Sequence, residues 1–308
     1  MTSHPPLSII GAPSSAGAYG SGQEHAPWTF RHHGLIPHLR ALGLDVTDHG
    51  DGSTTPWRTD ETNPTACNAD LVADVAVELA DTVAAAMAAD HNVLVLGGDC
   101  TVELGTVAGA IRDGSRVGLA YVDLDADLNT PATGDGILDW MGVAHLLDIP
   151  GAHPRLAAIG STRPMLTPPA LRLFGTHSVS DPEQAVIDRL DLHVETLESV
   201  RDDLPAVTGR TREWATQFDR VLVHVDADVL DFDQFPIAEN TDSRSGLSLT
   251  ELGLLLRALC TLPNWSGLTV CEVNPAHSRD EQDSFGRLIA TLGHALAPDG
   301  LPDTESTP

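Results

Sequence analysis

Three stretches of the chain are apolar without the polar alternation of a half-exposed strand. They span residues 93–100 (VLVLGGDC), 117–127 (VGLAYVDLDAD) and 220–228 (RVLVHVDAD). Unbroken aliphatic and β-branched runs are typical of strands buried on both faces of a parallel sheet. The runs end in side chains that can bind a metal, namely Cys100, Asp123, Asp125, Asp127, Asp226 and Asp228. The pattern therefore predicts that these six side chains lie at carboxyl ends of strands, where open α/β sheets bind ligands.

The rest of the chain alternates between short apolar runs and longer segments with helical spacing. Further strands are predicted at residues 7–13, 44–51, 154–160, 191–194 and 267–275. Helices are predicted at residues 28–42, 68–89, 101–111, 141–147, 210–218, 249–262 and 284–297. Gly43 is expected to end the first helix and Asn68 to cap the second. This alternation indicates an α/β fold, a three-layer α/β/α sandwich around a mainly parallel sheet.

No linker divides the chain, and no internal repeat is present. Residues 1–298 are therefore predicted to form one domain. The polar, Pro-containing residues 299–308 are predicted to form a disordered tail.

The acidic composition limits the partners. The 308 residues include 44 acidic and 17 basic side chains, a formal net charge of -27. Nucleic acids and anionic membranes require a basic surface, so neither is an expected partner, whereas a small cationic substrate is. General solubility, or a salt-rich source, is an alternative explanation of the same composition.

Two further features bear on the compartment. The chain has no run of about eighteen apolar residues, and its N-terminus lacks a basic segment followed by an apolar one, so a cytoplasmic location is expected. Four cysteines are too few for a disulfide scaffold in a chain of this length, and free thiols are expected.

The spacing of the aspartates indicates what the strand ends bind. Side chains two apart in an extended strand point the same way, so Asp123, Asp125 and Asp127 can converge, as can Asp226 and Asp228. Five converging carboxylates repel one another unless divalent cations lie between them. Bridging carboxylates with one or two other ligands are how two-metal hydrolases are built. Taken singly, such an aspartate run is also typical of a solvated loop or a calcium site, and a lone cysteine is often a small buried residue.

Five motifs, in this order along the chain, resemble those of the ureohydrolase superfamily, the arginases, agmatinases and their relatives. The segment IIGAPSSAGAYGSGQEHAP is similar to the family's opening strand and loop, GGDC to its G-G-D-H motif, and DLDADLNTP to D-A-H-x-D-x-N-T. HVDADVLD is similar to S-x-D-x-D-x-x-D, and CEVNP to the late E-V-N-P. The resemblance covers nearly the whole chain and implies an arginase-like fold.

The resemblance also implies an activity and a cofactor. Such proteins hydrolyse a guanidino or amidine C–N bond at a binuclear manganese centre, release urea or a substituted urea and an amine, and commonly form homo-oligomers, trimers or hexamers. Two overlapping ligand sets are implied by position: Cys100, Asp123, Asp127 and Asp226 around one metal, and Asp123, Asp125, Asp226 and Asp228 around the other.

Three further roles follow from the same resemblance. Asp228 would orient the attacking water and accept its proton. Glu272 would bind the substrate guanidinium, since a fork of donors pairs well with a carboxylate. Asn129 matches a residue that holds the far end of the substrate.

Both histidine ligands of the family are replaced, by Cys100 and Asp125. A thiolate with five carboxylates carries six negative charges, which leaves a site filled with two divalent ions at minus two. That excess would raise the pKa of bound water and weaken it as a nucleophile. The oxygen ligands favour manganese, whereas a thiolate favours zinc, iron, cobalt or nickel, so manganese is expected first, as one or two ions.

A third departure concerns proton transfer. Where arginases have a proton-shuttling histidine, this chain has Asp139, Trp140 and Met141, and the nearest histidine is His145, one helical turn later. His145 is a candidate catalytic residue, with a core or surface histidine as the alternative. Asp139 is a candidate for binding a cationic substrate or for capping a helix. Trp140 is either a wall of the pocket or a core aromatic.

The segment PIAENTDSRSG, residues 236–246, adds Glu239 and Asn240 as candidate substrate-binding residues, with an acidic surface loop as the alternative. Bacterial arginase-like proteins with GGDC and a similar loop imply N-hydroxyarginine, a modified arginine, as one substrate, by analogy. Two other functions stay open. One is altered chemistry in a specialised biosynthetic pathway, which the lost histidines favour, and the other is a catalytically inactive metal-binding homologue.

Overall fold

Eight strands form one sheet at the centre of the structure. The computed structural model describes residues 5–297. The strands are β1 (Leu7–Gly11), β2 (Val46–Asp51), β3 (Asn92–Leu96), β4 (Val117–Val122), β5 (Leu171–Thr176), β6 (His193–Thr196), β7 (Arg220–Asp226) and β8 (Trp265–Cys271). Their order is β2-β1-β3-β8-β7-β4-β5-β6, and every adjacent pair is parallel. The tail predicted at residues 299–308 lies outside the described residues.

Helices cover both faces of this sheet. They are α1 (Ala26–His32), α2 (Leu35–Ala41), α3 (Ala69–Ala88), α4 (Glu103–Ala110), α5 (Gly142–Leu146), α6 (Asp181–Leu190), α7 (Leu197–Asp202), α8 (Leu204–Ala215), α9 (Leu249–Cys260) and α10 (Glu281–Leu296). Buried side chains of α3 to α6 belong to one apolar core, and those of α1, α2, α7, α9 and α10 to the other. The predicted three-layer α/β/α sandwich is confirmed. Within the described part of the chain, no helix has the length and apolarity that crossing a membrane requires.

Strand β7 shows how the sheet positions side chains. Leu222 packs into the core beneath α3 and α4, while Val223 and Val225 pack into the opposite core. Because successive side chains of a strand alternate, His224 and Asp226 lie on the same face as Leu222. Asp226 pairs in register with Cys271 of β8, and Val225 with Val122 of β4. The segments that follow these strands therefore meet at one edge of the sheet.

Some predicted elements need correction. The helix predicted at 28–42 is two helices, because Gly34 has a φ of 88°, which lies in the left-handed region where a helix cannot continue. The strand predicted at 154–160 is a turn-rich segment, and the sheet uses β5 instead. The pattern of β5 is obscured by Arg172, whose charge breaks the apolar run. Its guanidinium lies 5.4 Å from the ring centroid of Trp214.

Asn68 occupies the position before α3 but does not cap it. Its φ of 58° is left-handed, and its side chain makes no cap hydrogen bond. The amide nitrogen instead donates to the carbonyl oxygens of Ala16 at 3.1 Å and Arg58 at 2.9 Å. Asn68 therefore fastens two loops to the start of the helix.

Candidate metal centre

A cavity of about 440 Å³ lies at the carboxyl edge of the sheet. Its lining consists of Tyr19, Cys100, Asp123, Asp125, Asp127, Asp139, Trp140, Asp226, Asp228, Asn240, Thr241, Asp242 and Glu272. Eight of these residues have carboxyl groups, and none is lysine, arginine or histidine. Such a lining attracts cations and excludes anions.

Three elements bring the first group of ligand atoms together. Cys100 opens a 3-10 turn after β3, and its backbone N–H donates to Asp139 Oδ1 at 2.7 Å. The Cys100 sulfur and carboxylate oxygens of Asp123 and Asp127 all lie within 4.8 Å of one another. The thiol also donates to Asp226 Oδ2 at 3.0 Å. All four side chains of the first predicted ligand set thus meet in the cavity.

The second predicted ligand set meets beside the first. Oxygens of Asp123, Asp125 and Asp228 lie within 4.8 Å of one another. Asp123 Oδ1 accepts the N–H of Asp125 at 2.7 Å, and Asp226 Oδ1 accepts the N–H of Asp228 at 2.7 Å. These bonds fix the Oδ1 atoms of Asp123 and Asp226 and leave their Oδ2 atoms for the other ligand atoms of the site. Asp123 and Asp226 therefore lie where residues shared by two ions would be.

Two carboxylate oxygens in this group have no donor. Asp123 Oδ2 and Asp228 Oδ1 are buried and make no hydrogen bond to any described residue. A buried acceptor without a partner costs free energy. Divalent cations would supply the missing positive charge, and five carboxylates with one thiol are a suitable ligand set. The residues present therefore fit a metal centre.

Carboxyl groups that line the cavity have raised pKa values. Burial, and next repulsion by Asp228, raises the pKa of Asp125 to about 7. Burial, and next repulsion by Asp99, raises the pKa of Asp139 to about 8. Burial is also the main cause that raises the pKa of Asp123 and Asp226 well above the usual aspartate range. Without a cation, several of these carboxyl groups keep their protons at neutral pH, and metal binding must displace them.

Glu272 forms a different part of the wall. Its φ of 59° is left-handed, which is uncommon for a residue other than glycine. Backbone bonds hold it there, because its N–H donates to Gly98 O at 2.8 Å and its carbonyl accepts the N–H of Glu239 at 2.8 Å. Gln23 Nε2 donates to both carboxylate oxygens, at 3.1 and 3.3 Å. Glu272 is therefore fixed before any substrate binds.

The loop after β1 supplies residues that sequence reasoning missed. Gln23 and Tyr19 both come from this loop, and Asp99 of the GGDC motif anchors it by accepting the Gly17 N–H at 3.0 Å. Tyr19 donates to Glu239 O at 2.9 Å, and its ring centroid lies 6.1 Å from that of Trp140. The two rings form the rim of the cavity. The only signal in the sequence was the glycine-rich character of the loop.

Asn240 lines the cavity, but its side chain contacts Asp228, a predicted metal-binding residue. Its Nδ2 donates to Asp228 Oδ2 at 2.9 Å. Asp228 is therefore held by its Oδ2 atom while its Oδ1 atom stays without a donor. Asn240 orients this carboxylate, a role that the sequence did not indicate.

Three residues predicted for catalysis or substrate binding do not line the cavity. His145 is fully buried in α5, where its Nδ1 contacts Met141 O at 2.5 Å, and burial lowers its pKa to about 4. Asn129 is absent from the lining, and the residue before it, Leu128, donates its backbone N–H to Glu183 Oε1 of α6 at 3.2 Å. The Glu239 carboxylate instead accepts a hydrogen bond from Asn274.

Comparisons with known proteins agree with this architecture. The model of the arginase family matches residues 6–296. The chain is 28% identical over 283 residues to human mitochondrial arginase-2, covering 90% of this chain and 80% of the relative. It is 29% identical over 300 residues to the arginase of Brevibacillus brevis, covering 96% and 98%. The native structure of Bacillus caldovelox arginase superimposes with a TM-score of 0.86 at 26% identity, covering 97% of this chain and all of that one.

Proposed function

The chain belongs to the arginase family, and from this premise we propose that it is a metal-dependent hydrolase of guanidino or amidine C–N bonds. It releases urea or a substituted urea together with an amine. The observation that supports this most strongly is the cavity lined by eight carboxyl groups and one thiol, with no basic side chain. One part of that lining suits metal ions, and the part around Glu272 suits a cationic group.

The metal-binding part comprises Cys100, Asp123, Asp125, Asp127, Asp226 and Asp228. These residues would hold one or two divalent ions, with manganese first and zinc, nickel, cobalt or iron as alternatives. When bound, such ions acidify water and polarise the group under attack. The unpartnered oxygens of Asp123 and Asp228 support this assignment.

Asp228 is the proposed proton acceptor. Its Oδ2 accepts a hydrogen bond from the amide of Asn240, so Oδ1, the oxygen that would also face a bound ion, is the atom that would take the proton from the attacking water. Asn240 keeps the carboxylate from rotating and so keeps Oδ1 directed into the cavity. Asp228 would therefore both bind the metal and accept the proton, so changing this residue would affect both steps.

Glu272 is the proposed partner of the substrate guanidinium. A carboxylate with two free lone-pair directions accepts two N–H groups of a planar guanidinium side by side. Gln23 already donates to both oxygens and fixes the plane of the carboxylate. Asp139, with a carboxylate oxygen within 4.8 Å of one of Glu272, adds a second acidic group on the same wall. The rings of Tyr19 and Trp140 at the rim suit a cationic, amino-acid-sized substrate.

The charge of the ligand set bears on which guanidine is hydrolysed. A thiolate and five carboxylates weaken the nucleophile compared with a set that contains two neutral imidazoles. A less basic, more electrophilic guanidine compensates for a weaker nucleophile. An N-hydroxyl group withdraws electron density from the guanidine carbon, so we propose a modified arginine such as N-hydroxyarginine among the substrates.

A substrate panel tests this function. The metal-free chain is reconstituted separately with manganese, cobalt, zinc and nickel, and is assayed with arginine, agmatine and N-hydroxyarginine. We expect urea or hydroxyurea release above the metal-free control, highest for N-hydroxyarginine. Tight metal binding without any ureido product from the panel would instead support one of the two alternatives, altered chemistry or an inactive metal-binding homologue.

The homo-oligomer, a trimer or hexamer, and the cytoplasmic location that the sequence analysis predicts stay predictions.

Replacing Glu272 by Gln tests the guanidinium contact. Losing one charged hydrogen-bond partner costs about 1.5–3 kcal/mol, so we expect kcat/KM to fall roughly 10- to 150-fold. Steady-state kinetics with the best guanidine of the panel measures the change. The matched control is Glu239→Gln, a buried neighbour whose carboxylate does not line the cavity. Equal losses in the two variants would contradict the assignment of Glu272.

A further inference from the structure

A second group of potential ligands lies behind the wall of the cavity. The sulfurs of Cys100 and Cys271 and a ring nitrogen of His224 all lie within 4.8 Å of one another. The three side chains are at most 1% exposed. Cys100 Sγ is 3.2 Å from His224 Nε2. Cys100 also lines the cavity, whereas His224 and Cys271 do not.

The sheet holds this group rigidly. His224 belongs to β7 and Cys271 to β8, neighbouring strands in which His224 pairs with Thr269 and Asp226 with Cys271. Thr269 donates to Thr106 of α4 at 3.2 Å, so the side chains on this face of β8 point towards that helix. The site is therefore built from two adjacent strands and the turn that starts at Cys100.

Glu103 orients the histidine. Its carboxylate lies 3.2 Å from His224 Nδ1, and the imidazole stacks on Tyr121 with ring centroids 4.1 Å apart and planes inclined by 5°. A proton on Nδ1 that is donated to Glu103 leaves the Nε2 lone pair directed at the sulfurs. Histidines that bind zinc usually donate their other ring N–H to a carboxylate, which fixes the tautomer in this way.

We propose that Cys100, His224 and Cys271 bind a thiophilic divalent cation, for which zinc fits best, with Asp226 as the fourth ligand. Asp226 Oδ2 lies 3.0 Å from Cys100 Sγ, so Asp226 would add one oxygen to the two sulfurs and the nitrogen. Such a set is typical of four-coordinate zinc. Two thiolates and the Asp226 carboxylate carry three negative charges, so a zinc ion would leave these four ligands with a net charge of minus one.

The dimensions are compatible with an ion. Zinc at about 2.3 Å from sulfur and about 2.0 Å from nitrogen, in a tetrahedron, separates these two atoms by about 3.5 Å. The present 3.2 Å between Cys100 Sγ and His224 Nε2 needs a change of a few tenths of an ångström. This site goes beyond the proposed hydrolysis and does not depend on it. Because Cys100 and Asp226 also face the aspartate cluster, zinc bound here competes with the first metal position of that cluster.

Cobalt(II) titration of the full, metal-free chain tests the site. We expect an intense near-ultraviolet charge-transfer band of two thiolates and visible bands of tetrahedral cobalt. Cys271→Ser should remove about half of the charge-transfer intensity. Cys260→Ser, which changes a buried cysteine in the opposite core, should leave the spectrum unchanged. Glu103→Gln should keep the band but weaken cobalt binding about 10- to 100-fold.

Two spectroscopic outcomes would overturn the proposal. A spectrum of six-coordinate cobalt without a thiolate band excludes both sulfurs, and a band that Cys271→Ser does not alter leaves Cys100 as a ligand of the aspartate cluster alone. Crystals of the unmodified protein soaked in zinc provide a test that needs no variant. An anomalous peak about 2.3 Å from both sulfurs supports the site, whereas zinc found only among the aspartates refutes it.

Discussion

Replacing Asp228 by Asn is expected to lower kcat for guanidino substrates by about 10²- to 10⁴-fold, the range for losing a positioned base. The amide cannot accept the proton that the free Oδ1 of Asp228 would take. The change also removes a negative charge from the second ligand set. Turnover by the manganese-loaded protein with the best substrate of the panel measures the loss.

The matched control makes the same chemical change at the rim. Asp242 lines the cavity and is exposed, with no place in either ligand set. Asp242→Asn should therefore change kcat by less than about threefold, because an exposed charge is screened by solvent. Metal content, measured for both variants, separates loss of the ion from loss of the base. A kcat for Asp228→Asn close to that of the unmodified protein would rule out the role proposed for this carboxylate.

The metal-free protein should lose thermal stability as the pH rises. Folding raises the pKa of Asp125 from its ordinary 3.8 to about 7 and that of Asp139 from 3.8 to about 8, with burial as the main cause of both. At a pH below the pKa of the unfolded state, both states are protonated, and the two groups do not lower the free energy of unfolding. Above it the unfolded state ionises first, so stability decreases until the pH exceeds the folded pKa.

The window is therefore from about pH 4 to about pH 8. Each group costs about 1.4 kcal/mol per pH unit between its two pKa values, which lowers Tm by roughly 1–3 °C per unit in a chain of this order of size. Manganese binds the ionised carboxylates, so the increase in Tm that it causes should grow over the same window.

Calorimetry of the metal-free and manganese-loaded chains across this window measures both trends. Asp139→Asn provides the control, because an amide cannot ionise and the slope for the metal-free protein should become shallower. A Tm of the metal-free protein that rises between pH 5 and pH 8, over most of that window, would show that the carboxyl groups are not held protonated by the fold.

The strands that end at the candidate metal centre were predictable because their signal is local. A run such as 117–127 is apolar for its whole buried length and then presents aspartates at spacing two. Burial on both faces dictates the first feature, and the pleat of the strand dictates the second. The parallel sheet brings the ends of such strands to one edge, so Asp123 and Asp226 meet although about a hundred residues separate them.

Residues in the connecting loops were predicted less well, because tertiary contacts decide the direction of a loop side chain. Asn129, Glu239 and His145 were all candidates by position, yet none lines the cavity, and Glu239 and His145 are held by hydrogen bonds that the sequence does not reveal. Tyr19 lines the cavity and Gln23 contacts Glu272 from a loop that follows a different strand and that Asp99 anchors. No local pattern encodes such a contact.

The sequence by itself determined the layers, the strands that end in the aspartates and the convergence of those aspartates, because hydrophobic periodicity and strand geometry act over a few residues. Only the tertiary structure decided which side chains surround that centre. His224 and Cys271 illustrate this division. Both lie within apolar runs, and the sequence around each one predicts only a buried core residue. They become neighbours because β7 and β8 are adjacent in the sheet, and strand order is fixed by packing across the whole chain.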